Sequence, residues 1–143
     1  MSTLEEHVDI DVPVDVAWDS LHRVESYPRF LEGVREARTE GANRAHLDVE
    51  AGGRAQAFDT QITDRADTHT MEWKTTSGPD LAGSFSLLPI DQQHTRVQAR
   101  IEYDPSAVRE AFGGPKGFAQ ATAIERLVRN DLEQFKGLVE QGR

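Results

Sequence analysis

Residues 44–63 read RAHLDVEAGGRAQAFDTQIT. Leu47 and Val49 alternate with His46, Asp48 and Glu50, and after Gly52-Gly53 Phe58 and Ile62 alternate with Asp59 and Gln61. A period of two marks strands with one covered and one wet face, and a glycine pair between two such runs marks a turn. The stretch is therefore two antiparallel strands, Arg44–Ala51 and Ala55–Thr63, joined as a hairpin. The pattern continues on both sides. Val34–Glu40 precedes it, and Thr68–Ser77, Gly83–Ile90 and Thr95–Tyr103 follow, separated by turn compositions such as Ser77-Gly78-Pro79-Asp80. Connections this short favour hairpins over crossovers, so the sheet is expected to be antiparallel. One face carries Leu47, Val49, Phe58, Ile62, Met71, Trp73, Phe85, Leu87, Val97, Ala99, Ile101 and Tyr103. The other is charged and amidic.

Further out, Leu4, Val8, Ile10 and Val12 alternate with polar residues in a first strand that Pro13 ends. Asp15 suits a helix start, and Val16, Ala17, Leu21 and Val24 then follow a helical stripe. A second short helix is expected around Tyr27–Leu31, with Pro28 in its first turn. At the other end Phe118, Ala121, Ile124, Val128, Leu132, Phe135 and Val139 recur at three- and four-residue steps. This predicts a long amphipathic helix that covers the apolar face of the sheet. Gly113-Gly114-Pro115 breaks any helix that starts earlier, near Ser106.

The chain has 143 residues, one domain's worth, and 1–143 reads as a single domain. It has no cysteine, which excludes disulfides and thiolate chemistry and fits a reducing compartment. The opening MSTLEEHVDIDV is too acidic for a signal peptide and no membrane-length apolar run follows, so a cytoplasmic protein is expected. With 16 Lys and Arg against 25 Asp and Glu, the net charge is −9, which counts against nucleic acid and membrane as partners.

Several stretches spread over the chain resemble the polyketide cyclase/dehydrase branch of the START and Bet v 1-like superfamily. They are Val12-Pro13-Val14, Tyr27-Pro28-Arg29-Phe30-Leu31-Glu32-Gly33-Val34, Ile62-Thr63 and Trp73-Lys74-Thr75-Thr76-Ser77-Gly78. Tyr103-Asp104-Pro105 and Asp131-Leu132-Glu133-Gln134-Phe135-Lys136 complete the set. The resemblance implies an α+β helix-grip fold, a curved antiparallel sheet gripping a long C-terminal helix over a hydrophobic cavity. The Tyr-Pro-x-Phe element is also similar to coenzyme Q-binding relatives. The chain departs from the aromatase/cyclases in two ways. They have Trp-Pro at the place of Tyr27-Pro28, and an inward arginine on the strand corresponding to Ala55–Thr63. Here Phe58, Thr60 and Ile62 point inward, and Arg65 falls in the next turn.

No catalytic motif stands out. His7, His22, His46, His69 and His94 form no pair at two-, three- or four-residue spacing, so no metal site is expected. No glycine-rich loop opens a helix as a phosphate cradle would, and no cofactor is expected. What remains is the covered face: Phe58, Ile62, Met71, Trp73 and Phe85, with hydroxyls at Thr60, Thr75, Ser77 and Tyr103. Singly these residues read as core; together, under one helix on a bent sheet, they read as a pocket lining. Tyr27 and Phe30, with Phe112 and Phe118 beside the Gly-Gly-Pro break, are candidates for its mouth, and Pro105–Gly117 for a gate.

The first reading is a module that binds a hydrophobic, aromatic or polyketide-like small molecule. The alternative is a polyketide cyclase or dehydratase with Tyr103 or Tyr27 as general acid. A third is an interaction module like the ribosome-associated relatives, which the net charge disfavours. Oligomeric state is not legible.

Overall fold

Among the described residues the alternating segments form seven strands, joined into one antiparallel sheet in the order β1-β7-β6-β5-β4-β3-β2. The computed structural model describes residues 2–31, 34–41, 43–51, 54–77, 80–104, 106 and 121–141. In chain order the elements are β1 (Ser2–Ile10), α1 (Val14–Leu21), a 3-10 helix (Val24–Arg29), β2 (Val34–Thr39) and β3 (Arg44–Ala51). They continue with β4 (Arg54–Arg65), β5 (Thr70–Ser77), β6 (Leu81–Pro89), β7 (Thr95–Tyr103) and a long helix, α2 (Ala121–Gln141). Each strand from β2 to β7 pairs with the next, as short turns require, and β1 closes onto β7.

The sheet is curled into a half-barrel. Phe58 on β4 and Tyr103 on β7 share one buried cluster with Leu4 on β1 and Leu47 on β3, although β4 and β7 are not neighbours in the sheet. Into the hollow drops α2, which buries Val128, Leu132, Phe135 and Val139 in the main core with Val8, Ile10, Leu87, Val97 and Ala99. Polar ties hold α2 to β1. Arg129 Nη2 reaches Glu6 Oε1 at 2.9 Å, and Lys136 Nζ donates to the Asp9 carbonyl at 3.0 Å and to Glu140 Oε2 at 2.7 Å. Glu140 Oε2 also accepts from the Asp11 amide at 2.8 Å. Thr95, fully buried, donates from Oγ1 to the Val12 carbonyl at 2.8 Å and so fixes the exit from β1. Among the described residues no helix is long and apolar enough to cross a membrane.

Four local expectations need correction. The second helix is a 3-10 helix over Val24–Arg29, with Pro28 inside it. Proline has no amide for an α-helical bond, and the chain turns through shorter bonds such as Phe30 N to Tyr27 O at 3.1 Å. On the two-turn α1, Ala17 and Leu21 are buried while Val16 is 38% exposed, because a stripe this short cannot also turn position 16 inward. The break expected between the strands Ala55–Thr63 and Thr68–Ser77 is displaced. Asp64 and Arg65 still pair with Met71 and Thr70, so the reversal is Ala66–His69, closed by His69 at a left-handed φ of 50°. Finally, β6 begins at Leu81 rather than Gly83.

Candidate functional site

Cross-strand partners in an antiparallel ladder share a face. The registers Ile62↔Trp73, Met71↔Phe85 and Phe85↔Ala99 therefore put these side chains on the side of the sheet that faces α2. There a cavity of about 50 Å³ lies under α2. Phe85, Val97, Ala99 and Ile101 form its floor, Val128, Asp131, Leu132 and Phe135 its roof, and Leu21, Phe30 and Leu31 one side. Three aromatic rings close that side in series: Tyr27 lies edge-on to Phe30 at 5.4 Å, and Phe30 edge-on to Phe135 at 5.0 Å.

A larger hollow of about 500 Å³ lies across β4–β7, lined by Gln61, Thr63, Glu72, Lys74, Ser84, Arg100 and Glu102 among others. These residues alternate with the α2-facing set and form the wet face. Several are already paired, Glu72 with Arg65 and Glu102 with Arg100 at 3.2 Å. An apolar ligand would have to desolvate those charges without compensation, so the smaller apolar cavity is the better candidate.

The expected site residues fall into distinct groups. Phe30 and Phe85 line the cavity, and Ile62 packs against the same core. Phe58 and Tyr103 sit in the second cluster, toward Leu81 and Val49. Met71 is 2% exposed. Trp73 is half-buried over Gly83, which it needs as its neighbour. A Cβ added at Gly83 would lie 2.8 Å and 2.9 Å from the Trp73 ring atoms Cζ2 and Cε2. Phe112, Phe118 and the segment from Pro105 to Gly117, apart from Ser106, lie outside the described residues.

The hydroxyls divide sharply. Thr60 Oγ1 donates to the Ala45 carbonyl at 3.1 Å. Thr75 Oγ1 bridges the Leu81 carbonyl and amide at 3.2 Å and 3.0 Å. Both are occupied by backbone. Ser77 does not face the pocket. The register shift between Asp59 and Thr60 turns it to the wet side, where Oγ donates to Asp59 Oδ2 at 3.0 Å. Tyr27 is buried and donates to the Leu21 carbonyl at 2.6 Å, joining α1 to the 3-10 helix. Burial, reinforced by the Asp64 and Glu25 charges, pushes its phenol well above the ordinary range. That makes it a poorer acid. Tyr103 differs. The residue is 2% exposed, and among the described residues nothing hydrogen-bonds its hydroxyl.

The roof is the part of the lining that the sequence shows least. Val128, Leu132 and Phe135 read as cover, and Asp131 reads only as part of the stretch that carries the family resemblance. The signal for it is spacing, three residues after Val128 and four before Phe135, which puts a carboxylate on an apolar stripe.

Residues 1–140 match the family described as "Polyketide cyclase / dehydrase and lipid transport", and the chain belongs to that family. An uncharacterized 17.2 kDa protein of the melC2-rnhH intergenic region of Streptomyces lincolnensis is 29% identical over 142 residues, 99% of this chain and 91% of its own length. Among solved structures the fold is similar to the Zhui aromatase/cyclase of Streptomyces sp. R1128, with a TM-score of 0.78 at 16% identity, covering 98% of this chain and 94% of that one. It is also similar to TTHA0849 from Thermus thermophilus, with a TM-score of 0.77, 15% identity and 99% of both chains covered. A START superfamily protein from Mycobacterium smegmatis superposes with a TM-score of 0.72, 17% identity and 99% of both chains covered. At these identities the structures speak for the helix-grip architecture alone.

Proposed function

We propose that this protein binds a hydrophobic small molecule, aromatic or polyketide-like, between α2 and the curled sheet. The observation that carries this reading is the cavity under α2. Its walls are aliphatic and aromatic, and among the described residues lining it Asp131 is the one that carries a charge. Ligand pockets are mostly apolar with few polar groups, but they measure roughly 300–1,000 Å³. The space of about 50 Å³ is a seed of such a pocket, and a ligand enlarges it by displacing the Phe30 and Phe135 rings. Family membership supports the ligand class. Native mass spectrometry of gently purified protein tests the reading. A co-purified apolar compound, displaced in Phe135→Trp, is the expected result. A protein that stays empty and binds none of a panel of aromatic polyketides refutes it.

A catalytic role is the second reading, and Tyr103 is the observation that favours it. Among the described residues its hydroxyl has no hydrogen-bond partner, while those of Tyr27, Thr60 and Thr75 are occupied. As a general acid it would polarise an enolising carbonyl, and Tyr103→Phe would cut turnover of a polyketide surrogate by about 10²–10⁴ with affinity nearly unchanged. Unchanged turnover in an active preparation removes Tyr103 from that role.

A further inference from the structure

On the wet face, remote from the cavity, the register of three strands assembles a group that no local spacing announces. His46 on β3 stands directly opposite Asp59 on β4, and on its other side opposite Arg38 on β2. The chain leaves β2 at Thr39, so Glu40 follows at its end, held by its amide on the Arg44 carbonyl at 2.8 Å. His46 Nδ1 lies 2.7 Å from Asp59 Oδ1 and 3.9 Å from Glu40 Oε1. The three donor atoms all fall within 4.8 Å of one another.

We infer that Glu40, His46 and Asp59 form a binding site for a first-row divalent cation of the zinc type. Ligand atoms about 2.0–2.2 Å from a tetrahedral metal stand roughly 3.3–3.6 Å apart. The two distances at Nδ1 bracket that spacing, so small side-chain shifts bring the set onto one ion. The outer partners carry the argument further. His46 Nε2 is 3.0 Å from Asp48 Oδ1, which orients the ring by one nitrogen and turns Nδ1 toward Asp59 and Glu40. Asp59 Oδ2 accepts from Ser77 Oγ at 3.0 Å, which leaves Oδ1 toward the same point. Carboxylate–imidazole–metal chains of this kind fix the tautomer and strengthen the ligand.

Both ring nitrogens of His46 face carboxylates, which favour the protonated ring when no metal is bound. The cation enters at Nδ1 as that proton leaves to water, and binding strengthens as pH rises. Arg38 is the opposing charge; it faces His46 from β2 and lies 4.0 Å from Glu36. Three carboxylates around the imidazole outweigh it. A mixed nitrogen and oxygen set favours zinc, cobalt or nickel over magnesium and calcium, which prefer oxygen alone. The ion would clip the free edge strand β2 to β3 and β4.

The test is isothermal titration of the metal-free full chain with Zn²⁺ and Co²⁺, with visible spectroscopy for Co²⁺. One tight site is expected, with the intense bands of tetrahedral cobalt and no comparable binding of Mg²⁺. Asp48→Asn, which leaves all three ligands in place, should weaken it about 10- to 100-fold. His46→Gln should abolish it, and His94→Gln, which removes a different histidine–aspartate contact, should leave it unchanged. Circular dichroism of each variant confirms folding. Equal affinity in wild type and His46→Gln, or loss of the site in His94→Gln, overturns the assignment.

Discussion

Gly83 offers a sharp test of the fold because two general rules predict opposite signs for it. In an ordinary strand, glycine to alanine stabilises by about 0.5–1 kcal/mol, since the unfolded chain loses freedom. At Gly83 an added Cβ would lie 2.3 Å from the Arg100 carbonyl oxygen on β7, as well as 2.8 Å from the Trp73 ring. Real Cβ atoms essentially never come within 3.0 Å of another heavy atom, so the overlap with Arg100 is severe. Neither partner yields freely, because Gly83 is paired to Ile101 on one side and Trp73 on the other. Overpacking of this kind costs about 1–3 kcal/mol. The β6–β7 ladder must also part locally, so Gly83→Ala is expected to destabilise by about 3 kcal/mol, the top of that range. For a domain of this size that lowers the melting temperature by about 10 °C. Trp73→Phe, by shrinking the ring, should restore only part of the loss in the double variant, since the clash with the Arg100 carbonyl remains. Urea unfolding followed by circular dichroism measures both. A Gly83→Ala protein as stable as wild type, or full rescue by Trp73→Phe, would refute the reasoning.

Three other outcomes follow from single contacts. Thr95→Val removes the buried hydroxyl that serves the Val12 carbonyl and should cost about 1–3 kcal/mol, whereas Thr95→Ser, which keeps the bond, should cost less; equal loss in both would assign the effect to packing. Tyr27→Phe strips the bond to Leu21 and should destabilise by about 1–2 kcal/mol in thermal melts, and no change would mean that the carbonyl finds water. The hydrogen bond that His46 donates to Asp59, then the one it donates to Asp48, raises the His46 pKa above 6.5, and His46 in turn lowers that of Asp59 below 3.8. A raised folded pKa stabilises fully below the unfolded value and the effect fades as pH rises through the folded one; a lowered carboxylate does the reverse. The pair therefore stabilises between about pH 4 and pH 6.5 and weakens on either side. In Asp59→Asn the His46 resonances should titrate at lower pH by NMR, and an unmoved titration would dismiss the pairing.

The strands, their hairpin pairing from β2 to β7 and the covering helix were legible because each is a local pattern. Leu47, Val49 and Phe58 betray period two, Val128, Leu132 and Phe135 betray the helical period, and turn residues between strands leave little choice of pairing. Phe30 and Phe85 also stood out in the sequence, and both line the cavity under α2. The local patterns could not say how the sheet curls, because bringing Phe58 onto Tyr103 across two intervening strands depends on twist accumulated over the whole sheet. They could not show which hydroxyls were already occupied. The Tyr27 bond to Leu21 and the Thr75 bridge to Leu81 are set by where the backbone passes. The bulge beside Asp59 turned Ser77 out of the pocket, since one extra residue in a ladder exchanges the faces beyond it. Glu40, His46 and Asp59 are separated by turns and strands, and only cross-strand register brings their donor atoms within 4.8 Å.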